Sequence, residues 1–263
     1  MYRRIRPNGL DQVAALQAIW DRCVNGDTIR LVGNTRSTFL VGSQLNWIGK
    51  DVHVEATGCT IRGTNGFAGP PVLYGANRGQ RNGATLHWRG GYLLGGLVLQ
   101  NVSYSAIEPD VISGTLELRF DTVSAYNEFH IPGGIAGGSV CVLINQLAVG
   151  AWANSTEFRK TPMDPAAGGT VLQFTTSEPP TWGGPDSLLF DHCSFESGGA
   201  ISYMFNTSYF TSAVFRDCYF ENPLGWQIGT LAEAAKIALV GPHGVPWWGS
   251  DSRFAILNYG SGQ

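Results

Sequence analysis

A repeat in the last third of the chain constrains its fold more than any other feature. The segment LLFDHCSFE at 188–196 matches AVFRDCYFE at 213–221 without a gap. The matching positions are Phe190 with Phe215, Cys193 with Cys218, Phe195 with Phe220 and Glu196 with Glu221. A unit of roughly two dozen residues cannot bury its own apolar face, so it must stack on copies of itself.

The repeated pattern is apolar-x-x-small apolar-x-apolar. Further copies are Leu99-Val102-Tyr104 followed by Phe120-Val123-Ala125, and, more weakly, Ala56-Cys59-Ile61 and Ala153-Thr156-Phe158. In a parallel β-helix this pattern is a strand end, a corner and the next strand, with the apolar side chains inward. We therefore expect Phe190 beside Phe215 in a dry interior, and Cys59, Cys193 and Cys218 as neighbours or near-neighbours in one stack. A leucine-rich repeat, the alternative solenoid, needs an LxxLxLxxN spacing that is missing.

Composition favours many short strands joined by tight turns. The chain has 35 glycines, and charged residues make up 14% of it, against about 25% in typical proteins. A net charge of −3 with no basic run argues against nucleic-acid binding. No stretch reaches the ~18 apolar residues of a membrane span, and no apolar segment follows the N-terminal arginines. We therefore expect neither membrane insertion nor a signal peptide.

Motifs for cofactors and metals are missing from the sequence. There is no phosphate-binding glycine loop, and the five histidines show no metal-binding spacing. The five cysteines are odd in number and form no CxxC pair, which favours buried free thiols over a disulfide framework or a zinc site. The sequence thus predicts neither a cofactor nor a metal.

The order of elements suggests three segments. Apolar residues at helical spacing predict a helix over 10–24, and Asn25-Gly26 follows it; these residues are Leu10, Val13, Leu16, Trp20 and Cys23. Closely spaced short strands begin at once, so the helix suits the cap of a solenoid. We expect an N-terminal segment with a capping helix at 1–26, a β-helix at 27–240, and a C-terminal cap or trimer contact at 241–263.

The N-terminal residues resemble a known superfamily. DQVAALQAIWDRCVNGDTIRLVGN, followed by LNWIGKDVHVEATGCTIRG, is similar to the opening of pectate-lyase-like β-helix proteins, over residues 9–63 and loosely to about 222. The resemblance implies an all-β fold, a single-stranded right-handed parallel β-helix. Phage tailspikes, polysaccharide lyases and glycoside hydrolases share this opening, so it specifies fold better than function. The segment LLFDHCSF also resembles the WIDHCSF segment of pectate lyases, but their calcium and catalytic-base motifs are missing.

Four acidic residues are the candidates for catalysis. Glu196 and Glu221 occupy equivalent repeat positions, so adjacent coils would stack them on one outer face. Asp191 and Asp217 lie near them in the pattern, one position out of register. A close carboxyl pair raises one pKa and can supply the acid and base of glycoside hydrolysis. The alternative is a set of solvated acids at the rim of neighbouring coils.

Tryptophans outside the alternating pattern are the candidates for sugar binding. Exposed indoles stack on sugar rings at small entropic cost. The candidates are Trp152, Trp182, Trp226, Trp247 and Trp248. Contact between subunits is the alternative explanation, because tryptophan is favoured at any interface.

Together these features and the resemblance predict a bacteriophage virion protein, a tailspike or short fibre. We expect it to be made in the host cytoplasm, to form a homotrimer and to contact polysaccharide on the host surface. Arg3, Arg4 and Arg6 would suit docking of residues 1–9 on another virion protein. Two alternatives stay open: a polysaccharide hydrolase or lyase, and an architectural capsid or baseplate protein that binds no sugar.

Overall fold

The structure is a computed structural model, and it describes residues 2–33, 37–64, 66–79, 84–176, 185–197, 201–209, 211–244 and 251–257. Strands dominate it. In chain order they are β1 (Tyr2–Ile5), β2 (Thr28–Leu31), β3 (Ser37–Val41), β4 (Leu45–Ile48), β5 (His53–Glu55), β6 (Cys59–Gly63), β7 (Val72–Gly75), β8 (His87–Arg89), β9 (Tyr92–Leu94), β10 (Leu97–Gln100), β11 (Ala106–Glu108), β12 (Val111–Phe120), β13 (Val123–Ala125), β14 (Glu128–His130), β15 (Ile135–Gln146), β16 (Trp152–Asn154), β17 (Glu157–Arg159), β18 (Met163–Asp164), β19 (Thr170–Thr176), β20 (Leu188–Asp191), β21 (Ser194–Phe195), β22 (Ser202–Thr207), β23 (Ser212–Arg216), β24 (Tyr219–Phe220), β25 (Trp226–Leu231), β26 (Lys236–Val240) and β27 (Phe254–Leu257). The helices are α1 (Val13–Arg22) and a 3-10 turn, η1 (Pro223–Gly225).

Two large parallel sheets organise these strands. The first sheet has eleven strands in the order β1-β2-β5-β8-β11-β14-β17-β20-β23-β26-β27. The second has fourteen and forms two rows that share the long strands β12 and β15. One row is β3-β6-β9-β12-β15-β18-β21-β24, and the other is β4-β7-β10-β12-β15-β19-β22-β25. Strands β13 and β16 form a separate parallel pair.

The chain visits the sheets in a fixed cycle. It passes from a strand of the first sheet through the two rows of the second sheet and back, and each return adds the next strand to the first sheet. We call one such passage a coil. Coils differ in length. Trp88 pairs with Val54 on the coil before it and with Ile107 on the coil after it, and the stretch of chain from Val54 to Trp88 is much longer than that from Trp88 to Ile107. This all-β arrangement of long parallel sheets is compatible with a parallel β-helix.

The sequence repeat corresponds to neighbouring coils, as predicted. Phe190 pairs with Phe215 in the first sheet, and Phe195 pairs with Phe220 in the second. All four rings are buried, and each pair stacks, with ring centroids 4.6 Å and 5.1 Å apart. Phe158 continues the first stack at 5.3 Å from Phe190. The interior of these coils is therefore an aromatic column in van der Waals contact.

The cysteines confirm one part of the prediction and correct another. All five are free and buried, as expected. The Cys193 thiol donates to the carbonyl of Phe158 and the Cys218 thiol to that of Phe190, so these two occupy the same corner of adjacent coils. Cys59 occupies an equivalent corner after β5, several strands away in the first sheet. The expectation that Cys59 neighbours the other two is wrong, because coils without a cysteine intervene.

The copies of the repeat that begin at Leu99 and Phe120 do not pair in the structure as the sequence pattern predicts. Leu99 pairs with Leu118, and not with Phe120 as the repeat pattern suggests. Tyr104 is exposed, because its backbone adopts φ 54° and turns the side chain away from the interior. The same apolar spacing marks two different corners of a coil: Phe190 leaves the first sheet, whereas Leu99 leaves the second. An alignment that merges the two corners gives the wrong partners.

The helix is shorter than predicted, at Val13–Arg22. The Asp11 carboxylate accepts from the Val13 amide just before the first turn, and Leu10 lies outside the helix with 69% of its surface exposed. Helix α1 packs Trp20 against Trp47 of β4, with ring centroids 5.6 Å apart and planes within 7°. Among the described residues, no helix combines the length and hydropathy that a membrane crossing requires.

Strands also lie in both terminal segments. Strand β1 pairs with β2 at one edge of the first sheet, and β27 pairs with β26 at the other. Arg3 donates to the carbonyl of Arg22, and its Nε lies 3.7 Å from a carboxylate oxygen of Asp27. The predicted segment boundaries after residues 26 and 240 stay predictions. The pairing of β1 with β2 crosses the first of them, and the pairing of β26 with β27 crosses the second.

Candidate functional site

A row of corner residues carries side chains out from the fold. In four successive coils, the corner where the chain leaves the second sheet for the first has a solvent-facing residue with a left-handed backbone. These residues are Tyr104, Tyr126, Ser155 and Ser187, with φ between 49° and 57°. The amide of Tyr104 donates to Ala125 and the amide of Tyr126 to Asn154, so successive coils are joined at this corner. A left-handed residue there points its side chain to solvent.

Two of these corner residues form an exposed aromatic surface, which we call the tyrosine ledge. The rings of Tyr104 and Tyr126 stack with centroids 4.9 Å apart and planes 12° apart. They are 64% and 46% exposed. Stacked rings cover one face of each other, but their edges and outer faces remain open to water, and exposed aromatic surface of this kind suits contact with a sugar ring.

A cavity of about 400 Å³ lies beside the ledge. Trp152, Asn154, Asp186, Gln146 and Phe174 are among the residues that line it, and we call it the tryptophan cavity. Trp152 is 43% exposed. The ledge and the cavity adjoin, because the Tyr126 amide donates to the Asn154 carbonyl at 3.3 Å.

The polar groups of the tryptophan cavity differ in how they are satisfied. The Asp186 carboxylate accepts from the Ser187 amide at 2.7 Å and from the Ser212 hydroxyl. The side-chain oxygen of Asn154 is buried and has no hydrogen-bond partner among the described residues. A buried acceptor left unpaired costs free energy, so a hydroxyl donor entering the cavity would recover it.

The predicted sugar-binding tryptophans therefore have different outcomes. Trp152 is exposed and lines a cavity. The prediction for Trp226 is wrong, because its indole is fully buried and its Nε1 donates to the Glu221 carbonyl at 3.0 Å. Trp182, Trp247 and Trp248 lie outside the described residues. Tyr104 and Tyr126 were missed, because the repeat pattern sets Tyr104 opposite Ala125, one position short of the tyrosine that it contacts.

Three acids follow one another on the second sheet, and we call them the acidic ladder. Glu196 and Glu221 lie on adjacent coils, since Glu221 donates its amide to Phe195 and Glu196 donates to Met163. Asp164 occupies the preceding coil. Partial burial raises the pKa of Glu196, and the charges of Glu221 and Asp164 raise it further. This is the arrangement that the sequence predicted for Glu196 and Glu221, extended by Asp164.

The other two catalytic candidates belong to a separate cluster. Asp191 accepts from Arg216 Nε at 2.7 Å and from His192 Nδ1 at 2.9 Å. Arg216 and then His192 lower the pKa of Asp191. Asp217 lies 4.0 Å from His192 Nε2. The donor atoms of Asp191, His192 and Asp217 lie within 4.8 Å of one another, but the Arg216 guanidinium is bonded to Asp191 and would repel a cation.

The four predicted acids thus do not form one site. Asp191 lies in the first sheet and Glu196 follows a strand of the second, with a corner of the chain between them. Asp191 stays ionised beside Arg216, which lowers its pKa, so it is unsuited to proton donation. Asp191 and Asp217 therefore form a cluster at the corner after the first sheet, whereas the two glutamates follow strands of the second, and a catalytic role for the four stays a prediction.

The outer side of the first sheet carries a groove of about 650 Å³. Arginine and glutamate side chains alternate along it from coil to coil, in the order Arg30, Glu55, Arg89 and Glu108, and His130 follows Glu108. Arg30 Nε lies 2.5 Å from Glu55 Oε2. Cross-strand pairs of this kind contribute about 0.2–1 kcal/mol each. Sequence reasoning missed the row, because its members are separated by unequal intervals.

Comparison with protein-family models, with curated proteins and with solved structures finds no match to this chain. The function therefore has to be argued from the surfaces themselves. Of these surfaces, the tyrosine ledge with the tryptophan cavity combines exposed aromatic area with an unsatisfied polar group. The acidic ladder supplies the one carboxyl group among the described residues whose pKa is raised.

Proposed function

We propose that the chain is a single-stranded right-handed parallel β-helix whose N-terminal helix caps the first coil. The cyclic strand order and the parallel pairing of every named strand support this fold. Crossovers between parallel strands of one sheet are right-handed in about 98% of cases. Helix α1 supports a capping role, since it lays Trp20 on the interior residue Trp47 at the start of the stack.

We propose further that this β-helix binds polysaccharide on a host cell, as a tailspike or short fibre of a bacteriophage virion. The tyrosine ledge beside the tryptophan cavity is the observation that carries the binding proposal. The phage assignment rests on the resemblance of residues 9–63 to the opening shared by tailspikes.

Recognition would combine stacking with a few directed hydrogen bonds. Tyr104 and Tyr126 offer the exposed surfaces of a stacked pair, and Trp152 offers a further exposed ring at the adjoining cavity. The free oxygen of Asn154 accepts one hydroxyl hydrogen, and hydrogen bonding of the hydroxyl fixes the orientation of the sugar. A site of this kind binds several sugar units of a chain without closing over them.

A binding assay with single variants tests the proposal. The intact protein is titrated with a panel of bacterial surface polysaccharides, and Tyr104→Ala, Tyr126→Ala and Trp152→Ala are compared with the wild type. Each loss of a stacking ring should weaken binding by roughly 5- to 150-fold, as about 1–3 kcal/mol implies. Tyr219→Ala is the matched control, because Tyr219 is 51% exposed on the second sheet, away from the ledge. Equal loss in the control and the ledge variants would contradict the site.

Polysaccharide cleavage is the second candidate, and the raised pKa of Glu196 favours it. A raised pKa suits Glu196 to the role of acid, and Glu221 on the adjacent coil would supply the base. New reducing ends or unsaturated sugars after incubation would support cleavage, and Glu196→Gln should abolish them. Retention of the polysaccharide without cleavage supports the binder alone. Neither binding nor cleavage would support an architectural capsid or baseplate protein.

The proposed assembly is a homotrimer. Exposed apolar side chains on the outer side of the last strands of the first sheet, Val214 and Leu257, suit contact between subunits. Arg4 and Arg6 are exposed and suit docking on another virion protein, whereas Arg3 is engaged within the chain. The mass in solution tests the trimer, and a stable monomer would overturn it.

A further inference from the structure

Two histidines meet on the outer side of the first sheet. His53 begins β5 and His87 begins β8, and the register of these strands places one beside the other. Their imidazole centroids lie 4.7 Å apart, and the ring planes are tilted by 51°. In the chain, the two strands β6 and β7 separate them.

The surroundings of this histidine pair are open. A cavity of about 410 Å³ is lined by both imidazoles and by Glu55, Glu108 and Arg89. On the coils to either side the same column carries small residues, Thr28 beside His53 and Ala106 beside His87. Small neighbours leave room for water molecules around the two rings.

Burial and charge around the pair affect the affinity of His53 for protons. Partial burial lowers the pKa of His53, and the neighbouring His87 lowers it further, against an opposing effect of Asp51. A neutral imidazole carries the free lone pair that a metal ion needs. Glu55 and Glu108 add negative charge to the cavity, and it is offset by Arg89 and by Arg30, which pairs with Glu55.

We propose that His53 and His87 form a binding site for a divalent transition metal ion such as Zn²⁺. Each imidazole supplies one nitrogen ligand, and water completes the coordination shell. Imidazole ligands select transition metals over Mg²⁺ and Ca²⁺, which prefer oxygen. The ion would join the two coils across the longest interval between paired residues of the first sheet, so it would act as a staple.

Calorimetric titration of the full chain with Zn²⁺ alone tests the site. We expect one ion per chain, with Cu²⁺ binding more tightly and Mg²⁺ not at all. His53→Gln and His87→Gln should each weaken Zn²⁺ binding by at least roughly tenfold. His130→Gln is the matched control, because His130 is an exposed histidine of the same sheet that belongs to no such pair among the described residues. The melting temperature without metal checks that each variant folds.

A second control separates this site from the cluster at His192. If His192→Gln removes Zn²⁺ binding and His53→Gln does not, the ion belongs to the Asp191–His192–Asp217 cluster and the proposal is wrong. Unchanged binding in both His53→Gln and His87→Gln would equally overturn it. A melting temperature that Zn²⁺ raises in the wild type, but in neither variant of the pair, would support the staple.

Discussion

Phe190 and Phe215 stack face to face, with ring centroids 4.6 Å apart and planes within 8°. They come from adjacent coils and occupy the same position in the two copies of the sequence repeat. Phe158 extends the stack on the other side. Identical side chains in successive coils are in contact, so each coil packs directly on the one before it. The loss of the Phe190 ring would therefore leave a cavity against both Phe158 and Phe215.

Replacing Phe190 by alanine should therefore destabilise the protein strongly. The ring is fully buried between two others, and truncation of a buried phenylalanine costs about 3–5 kcal/mol. Denaturant unfolding measures the change. Val214→Ala, on the outer side of the adjacent strand and 37% exposed, should change the free energy of unfolding by no more than about 0.5 kcal/mol. Similar losses in the two variants would contradict a dry interior at Phe190.

Gly75 should tolerate no side chain. It has φ +150°, and a Cβ added there would overlap the carbonyl oxygen of Gln100 on the next coil. Gly168 is a control for backbone strain alone, because it has φ +75° with nothing within 4 Å of the added atom. Gly75→Ala should lower the free energy of unfolding by about 1–3 kcal/mol more than Gly168→Ala does. Equal effects would mean that the coils are less closely spaced at Gly75.

Acid should destabilise the fold through the histidine pair. The pKa of His53 is lowered in the folded protein, so the unfolded chain binds more protons and stability falls as pH drops below the ordinary histidine pKa of 6.5. The melting temperature should therefore fall between about pH 7.5 and pH 5. His87→Gln removes one cause of the shift and should reduce this dependence. His130→Gln should leave the dependence as in the wild type.

The titration of Glu196 should give the opposite dependence of folding stability on pH. Its pKa is raised in the folded protein, so folding favours the protonated form and stability falls as pH rises through the folded pKa. Glu196→Gln should therefore raise the melting temperature at neutral pH, and its advantage should shrink as pH falls through the folded pKa and be gone below the ordinary glutamate pKa of 4.5. Glu128→Gln, an exposed acid of the first sheet, is the control. A destabilised Glu196→Gln at neutral pH would indicate that the ionised carboxylate has a favourable partner.

Sequence reasoning identified the coils where consecutive repeats have nearly the same length. Around Phe190 and Phe215 the strands, the corner cysteine and the outward glutamate follow at one offset, so local similarity reveals three-dimensional neighbours. The helix was also visible, although the Asp11 side chain starts it at Val13 and not at Leu10, where the apolar periodicity begins.

The candidate surfaces were harder to predict because coil length varies. Insertions between strands change the interval between paired residues, so His53 and His87 show no common spacing with other pairs of the same sheet. The burial of a side chain also depends on the local backbone conformation, and the apolar character of the residue does not reveal that conformation. Tyr104 and Trp226 are both aromatic, yet a left-handed φ exposes the first and an inward strand position buries the second.

The left-handed corner row has a consequence for how such a protein could acquire new specificity. Tyr104, Tyr126, Ser155 and Ser187 hold the same backbone geometry with chemically different side chains, and their side chains take little part in the interior. A substitution there changes what the surface presents while the scaffold beneath keeps its hydrogen bonds. The row is thus a place where selection, or a designer, can exchange ligand preferences along one edge with little penalty to folding.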